Sequence, residues 1–269
     1  MSEQAWYKDW FNSPFYHKLY FERDENEAAA FILKLIDHLK PLPGSYMLDV
    51  ACGRGRHSRI LAEKGFVVTG IDISFDSIAF AKKFVPRDST KESLVTFGEN
   101  ENLEFYQHDM RLPFRVNYFA YAFNFFTSFG YFKTRREHDD AIRTIANGLK
   151  SNGLFVIDYL NVHYSEDHLI RNDEKMINDT AYEIHRWHDE THFYKKIIIH
   201  DPLLIHPVEF TEKVSKFSFG DFNDMLSYHG LQVQEIFGDY QLGSYDVRTK
   251  PRLIIIAKKN SKIQVPNSK

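Results

Sequence analysis

Apolar positions along the chain fall into two alternating rhythms, and the first is helical. Residues 24–39 (DENEAAAFILKLIDHL) open with acids, repeat apolar positions every three or four residues, and stop before Pro41 and Pro43. Acids suit the positive end of a helix, and prolines terminate it. The rhythm then shortens. Tyr46 to Val50 predicts a short strand, Ala51-Cys-Gly-Arg-Gly55 a turn, and the stretch to Lys64 a helix. Gly65 breaks that helix, and Phe66 to Ile71 predicts a second strand. Residues 75–85 predict a helix and 86–102 a charged, Ser/Asn/Glu-rich loop. Strands follow at Leu103–Gln107 and Tyr118–Phe123. A helix over about 134–149 ends at Ser151-Asn-Gly153, and Leu154–Asp158 predicts another strand.

Strands alternating with helices up to residue 158 predict βαβ units and a parallel sheet. The remainder has a different character. Residues 181–187 and 192–200 read as a hairpin, 207–217 as a third extended segment, 219–229 as a helix, and 231–237 and Arg252–Ala257 as strands. The predicted fold is α/β: a Rossmann-like, mostly parallel seven-stranded sheet with helices on both faces and an inserted antiparallel β cap. Residues 1–269 form one domain on this reading. Within it, 1–40 are an N-terminal lid and helix, 41–160 the cofactor-binding core, 161–217 a cap over the substrate, and 218–269 the completion of the sheet.

Composition narrows the function. The chain is 43% hydrophobic and 26% charged, enough apolar material for a sizeable core. Net charge is −3 with scattered lysines and arginines, so no nucleic-acid footprint is present. No apolar run reaches the length of a membrane span, and Met1 to Phe21 lacks the order of a signal peptide. One cysteine, Cys52, rules out an internal disulfide and fits a reducing, cytoplasmic setting. The 13 histidines never take zinc-ligand spacing, so no metal site is expected. Aromatic content of 16% fits either a Phe-rich core or aromatic walls around a ligand.

The sharpest chemical signal is the first turn, Leu48-Asp-Val-Ala-Cys-Gly-Arg-Gly-Arg-His-Ser58. Gly53 and Gly55 sit between a strand and a helix, where a missing Cβ permits a tight turn and lets a ligand approach the backbone. Asp72 ends the second strand about 20 residues on, where an acid can bond both ribose hydroxyls. A dinucleotide loop carries a third glycine, which would fall at Ser58, and holds a pyrophosphate on the helix N-terminus. Here Asp49 stands just before the turn. Its carboxylate would repel a pyrophosphate and suit the ammonium of a methionine moiety.

Asp49-Val-Ala-Cys-Gly-Arg-Gly-Arg-His57, Gly70-Ile-Asp-Ile-Ser74, Gln107-His-Asp-Met-Arg111 and Asn124-Phe-Phe-Thr-Ser-Phe-Gly-Tyr-Phe132 stand in order at fitting distances. Together they resemble the class I S-adenosylmethionine-dependent methyltransferases, in the small-molecule branch of sugar N,N-dimethyltransferases and glycine N-methyltransferase. The resemblance covers residues 16–160, more weakly 217–258. It implies S-adenosylmethionine as cofactor and a small-molecule methyl acceptor. By the same resemblance, Asp49, Ala51, Gly53 and Gly55 line the methionine part, Asp72 holds the ribose and Ile73 packs on the adenine. Asp109 and Met110 then sit at the adenine edge, and Asn124 and Phe125 close the pocket beneath the sulfonium. Tyr20 and Arg23 belong to a lid, Arg23 meeting the methionine carboxylate. One departure is visible: after the phenylalanine matching Phe119, related chains often carry Asp, whereas Ala120 stands here.

Three segments lie at the carboxyl ends of strands, where ligands of open α/β sheets bind. Thr127–Tyr131 places Tyr131 where the resembling sugar enzymes carry a histidine, so Tyr131 is a candidate catalytic residue. Asp158–His163 ends the fifth strand, and His163 has the right intrinsic pKa for proton transfer. Gly238–Asp246 lies on the cofactor side if 231–237 runs parallel to the sheet, and Arg252 could pair with Asp239 or Asp246 or meet an anionic substrate. The expected activity is methyl transfer to a nitrogen or oxygen of a small molecule by a monomer or homodimer. A NAD-dependent oxidoreductase and a non-catalytic, regulatory S-adenosylmethionine-binding protein are the competing readings.

Overall fold

The sheet is built around central strands whose two faces are both covered. A computed structural model describes residues 6–20, 25–85 and 102–261. In chain order the core comprises α3 (Glu25–Leu39), β1 (Tyr46–Val50), α4 (Arg56–Glu63), β2 (Val67–Asp72), α5 (Phe75–Ala81), β3 (Leu103–Gln107), β4 (Phe119–Asn124), α6 (Arg135–Gly148) and β5 (Leu149–Leu160). Before it stand two short helices, α1 (Trp6–Phe11) and α2 (Pro14–Tyr20). After α8 (Phe219–Tyr228), the strands β10 (Leu231–Phe237) and β11 (Arg252–Lys259) complete one seven-stranded sheet, ordered β10-β11-β5-β4-β1-β2-β3. β1 pairs in parallel with β2 and β4, β2 with β3, and β4 with β5. β11 is antiparallel to both β5 and β10. β10 therefore runs in the common direction, and the loop after it lies at the carboxyl edge.

Along each central strand successive side chains serve opposite faces. In β11, Leu253, Ile255 and Ala257 join the cluster under α6 and α8, while Ile254 and Ile256 join that under α3, α4 and α5. Burial on both sides is why these strands read as near-continuous apolar runs. Helix starts are set locally. Thr134 and Glu137 form a reciprocal capping box before α6, Ser218 and Asp221 another before α8, and the Ser74 hydroxyl caps α5.

Between β5 and α8 lie α7 (Val162–Asp167) and a separate four-stranded antiparallel sheet. Its strands are β6 (Asn172–Ile177), β7 (Thr180–His188), β8 (His192–His200) and β9 (Val208–Ser215), in spatial order β6-β7-β8-β9. The sequence pattern anticipates the last three and misses β6, whose Asn172-Asp-Glu-Lys stretch has no apolar alternation. Residues 16–20 have a core role that the sequence alone does not expose. Trp10 and Leu19 of α1 and α2 close on Tyr182, Ile184, Ile197 and Ile199 in a third apolar cluster, joining the N-terminal helices to the inserted sheet.

Candidate functional site

A cavity of about 940 Å³, counting its open mouth, sits at the carboxyl ends of β1, β2 and β4. Its floor is the β1–α4 turn and the ends of β2 and β3: Ala51, Gly53, Asp72, Ile73, Asp109 and Met110 all line it. The Gly53 N–H donates to Asp72 Oδ2 at 2.9 Å and the Ser74 N–H to Oδ1 at 2.8 Å. Asp72 thus braces the glycine turn, and burial pushes its carboxyl above the usual range. Gly53 has φ +55°, and a Cβ built there would meet no protein atom within 4 Å. Its open face belongs to the cavity.

Gly55 serves a different purpose. A Cβ there would lie 2.4 Å from the Phe105 ring, and one at Gly70 would lie 2.5 Å from it. Both glycines make room for Phe105 beneath the turn, and Gly55 does not line the cavity. Asp49, Asn124 and Phe125 also lie below the lining. Asp49 is 1% exposed and accepts a 2.6 Å bond from the Ser58 hydroxyl. Burial, outweighing the bonds from Ser58, pushes its carboxyl up to about 7. Asn124 donates from Nδ2 to the Val50 carbonyl at 3.0 Å, while its buried Oδ1 has no hydrogen-bond partner. Phe125 packs in the core against Phe31, Phe123 and His57.

At the far end of the floor, Arg111 clasps Asp109 through Nε at 3.0 Å and Nη2 at 2.6 Å, and also bonds Glu137. Burial pushes the Asp109 carboxyl up, but the bonds from Arg111 outweigh it and hold the group below its ordinary range. The roof is aromatic. Tyr7, Phe11, Tyr16 and Tyr20 descend from α1 and α2, and Phe126, Phe129, Tyr131 and Phe132 rise from the segment after β4. Tyr131 meets Phe11 and Trp6 edge-on, with ring centroids 5.4 and 5.8 Å apart.

The inserted sheet adds one carboxylate. Glu212 of β9 lines the cavity and accepts from Trp10 Nε1 and the Tyr20 hydroxyl, each at 2.7 Å. Alternation in Val208–Ser215 marks a strand but gives no sign that this glutamate faces a ligand, and the Tyr7 and Phe11 rings are equally silent in sequence. Among the described lining residues the ionisable side chains are Asp72, Asp109, Glu212, His108 and four tyrosines, with no lysine or arginine. Among those residues none is cationic, while Arg111 stands behind Asp109 and Lys195 behind Glu212.

The loop after β4 is strained. Phe126 and Thr127 have φ of +56° and +59°, left-handed values that side-chain-bearing residues adopt at a cost of order 1–3 kcal/mol each. Asp158, wholly buried at the end of β5, accepts from the Phe126 N–H at 2.8 Å, the Tyr240 hydroxyl at 3.2 Å and Arg252 Nε at 2.8 Å. Arg252 also reaches Thr127 Oγ1 at 3.0 Å.

Several expectations are corrected here. Arg252 pairs with Asp158, whereas Asp239 takes Lys250 at 2.7 Å and Asp246 caps the turn at Arg248 and Thr249. His163 stands on α7 with 44% of its side chain exposed, 3.5 Å from Glu166, and does not line the cavity. Arg23 lies outside the described residues. Among the described residues no group of three His, Cys, Asp or Glu side chains is placed to hold a metal ion, and no helix is long and apolar enough to cross a membrane.

This arrangement has known counterparts. A dTDP-3-amino-3,4,6-trideoxy-α-D-glucopyranose N,N-dimethyltransferase of Streptomyces venezuelae is 30% identical over 146 residues, covering 53% of this chain and 54% of that one. Two further curated relatives are likewise matched over about half their length, 47% and 41%. One from Geobacillus sp. (strain WCH70) is matched over 96% of its length at 24% identity. A solved S-adenosylmethionine-dependent methyltransferase of Clostridium acetobutylicum superposes with a TM-score of 0.72 at 16% identity, over 92% of this chain and 97% of its own. CalS10, an amino pentose methyltransferase of Micromonospora echinaspora solved with S-adenosylmethionine bound, gives 0.64 at 17% identity, over 92% and 98%. A family model described as a methyltransferase domain matches residues 42–198, more than half of the 269 residues. Set beside the strand order and the glycine turn braced by Asp72, this match settles the family: the chain belongs to the methyltransferases.

Proposed function

We propose that this methyltransferase carries the methyl group of S-adenosylmethionine to a nitrogen or oxygen of a small molecule held under the aromatic roof. The observation that carries the reading is the lining of the cavity: three carboxylates and no lysine or arginine among the described residues, over a glycine with an open face. A zwitterionic amino acid joined to a nucleoside matches those acceptors. A pyrophosphate does not, so nothing in the site favours a nicotinamide cofactor.

The bound cofactor supplies an electrophilic methyl carbon on a sulfonium sulfur. The chain supplies the rest. Gly53 leaves space at the turn, and Asp72 is the acceptor for ribose hydroxyls while it fixes that turn. By resemblance Asp49 is assigned to the methionine part and Asn124 to the position beneath the sulfonium, both buried below the lining. Ile73 and Met110 offer apolar contact to a base, with Asp109 at its edge. Tyr20 closes from the lid, and Arg23 is assigned to the methionine carboxylate by resemblance. Tyr131 is the residue set to orient the acceptor. Alignment of nucleophile, carbon and sulfur then supplies most of the catalysis, and the aromatic roof excludes water. In this scheme residues 1–40 act as lid and 161–217 as cap on one domain. The protein works as a cytoplasmic monomer or homodimer on a small acceptor, with no nucleic acid or membrane.

Isothermal titration tests the reading directly. S-adenosylhomocysteine should bind with one site per chain and NADH should give no heat. Absence of S-adenosylhomocysteine binding would sink it.

A further inference from the structure

We infer that the buried Asp158–Arg252 pair is a positioning device that holds the Phe126–Thr127 turn in its left-handed form and so sets the aromatic wall of the cavity. The inference rests on the reading of that cavity as the cofactor and acceptor site. Neither residue of the pair lines the cavity, so neither acts by touching a ligand. Their bonds converge instead on two consecutive residues. Asp158 takes the Phe126 N–H on one carboxylate oxygen and Arg252 on the other, and its own carbonyl takes the Thr127 N–H at 3.0 Å. Arg252 adds a bond to the Thr127 hydroxyl. Tyr240 completes the clamp from the loop after β10, donating to the carboxylate.

The turn's own sequence supplies only its closure, the Ser128 N–H at 3.3 Å and the Ser128 hydroxyl at 2.8 Å on the Phe125 carbonyl, and no residue suited to its left-handed backbone. Left-handed conformations are the province of glycine, with asparagine and aspartate tolerated, and a β-branched threonine is among the least suited. Two such residues in succession persist only where surrounding bonds over-determine them. Their effect is to aim the following chain. Phe126 leaves β4 with its ring stacked on His57, centroids 5.1 Å apart and planes at 21°, with the Arg56 guanidinium 5.2 Å away. Ser128, Phe129, Tyr131 and Phe132 then reach the cavity in turn. Relaxing either residue to an ordinary backbone conformation would redirect all five. The pair therefore acts on binding through the loop.

A glycine double-mutant cycle separates positioning from mere stability. Glycine adopts the left-handed form freely, so Thr127→Gly should remove much of the need for the clamp. Asp158→Asn is expected to weaken S-adenosylhomocysteine binding at least tenfold by titration calorimetry and to lower the melting temperature. Asp158→Asn combined with Thr127→Gly should recover most of both losses. Arg252→Lys, which keeps charge but loses the fork, repeats the cycle should Asp158→Asn fail to fold. Failure of Thr127→Gly to raise affinity and melting temperature above those of Asp158→Asn would overturn the inference, because the direct Arg252–Thr127 bond of a merely stabilising pair makes the two losses overlap but cannot turn the second substitution into a gain. If the unaltered protein binds no S-adenosylhomocysteine, the functional reading fails. The melting-temperature cycle still judges the clamp: a gain of the double variant over Asp158→Asn supports it and no gain overturns it.

Discussion

Keeping Asp49 charged is costly, since the carboxyl is 1% exposed and meets one hydroxyl donor. Its value of about 7 lies above the 3.8 of the free side chain, so between those limits the folded protein holds a proton that the unfolded chain has released. Stability from this group is therefore present at low pH, lost as pH climbs from about 4 through about 7, and constant above. In urea titrations at stepped pH, the ligand-free protein should lose on the order of 4 kcal/mol across that window relative to Asp49→Asn. Parallel stability curves for the two proteins would refute the assignment. Asp72 makes a different test. Its carboxylate carries both the Gly53 and Ser74 N–H bonds, so Asp72→Ala should reduce S-adenosylhomocysteine affinity by about 1–3 kcal/mol. Unaltered affinity would remove Asp72 from the site.

Among the secondary elements, Phe105 of β3 ties the sheet to the glycine turn, lying where both Gly55 and Gly70 lack a side chain. Gly70→Ala should cost about 1–3 kcal/mol by overpacking, and Phe105→Leu in the same chain should return part of it in thermal unfolding. A neutral Gly70→Ala would mean that the ring has room to move. The glycines at the turn were legible in sequence because backbone demands restrict residue type, but their division of labour was not: Gly53 faces open space and Gly55 faces a ring contributed 50 residues later. The strands of the main sheet were legible for a related reason, since burial on both faces leaves apolar runs. β6 and α7 were hidden because neither buries an apolar stripe, α7 having no buried residue at all. His163 is a candidate by residue type alone, and only three-dimensional placement shows it facing solvent. Glu212 gives no sign in sequence, since a polar residue in an alternating strand is the expected pattern.

For the molecule as a whole, the roof of the cavity is an agreement between distant parts of the chain. Trp10 is fully buried, its ring 4.6 Å from Phe210 and its indole N–H on Glu212. Trp10→Ala at so buried a position should cost about 3–5 kcal/mol of local stability, and trypsin should then cleave after Lys18 much faster than in the unaltered protein. Slow cleavage in that variant would show that other contacts hold the lid. The same bond spans 202 residues of sequence, and that separation has a consequence in time. At ribosomal speeds of about 5–20 residues per second, the first helix waits on the order of 10–40 s before its partner strand has been translated. A nascent chain can thus assemble most of its sheet while its ligand chamber still lacks a ceiling, and α1, translated before every strand of that sheet, is among the last elements to find its seat.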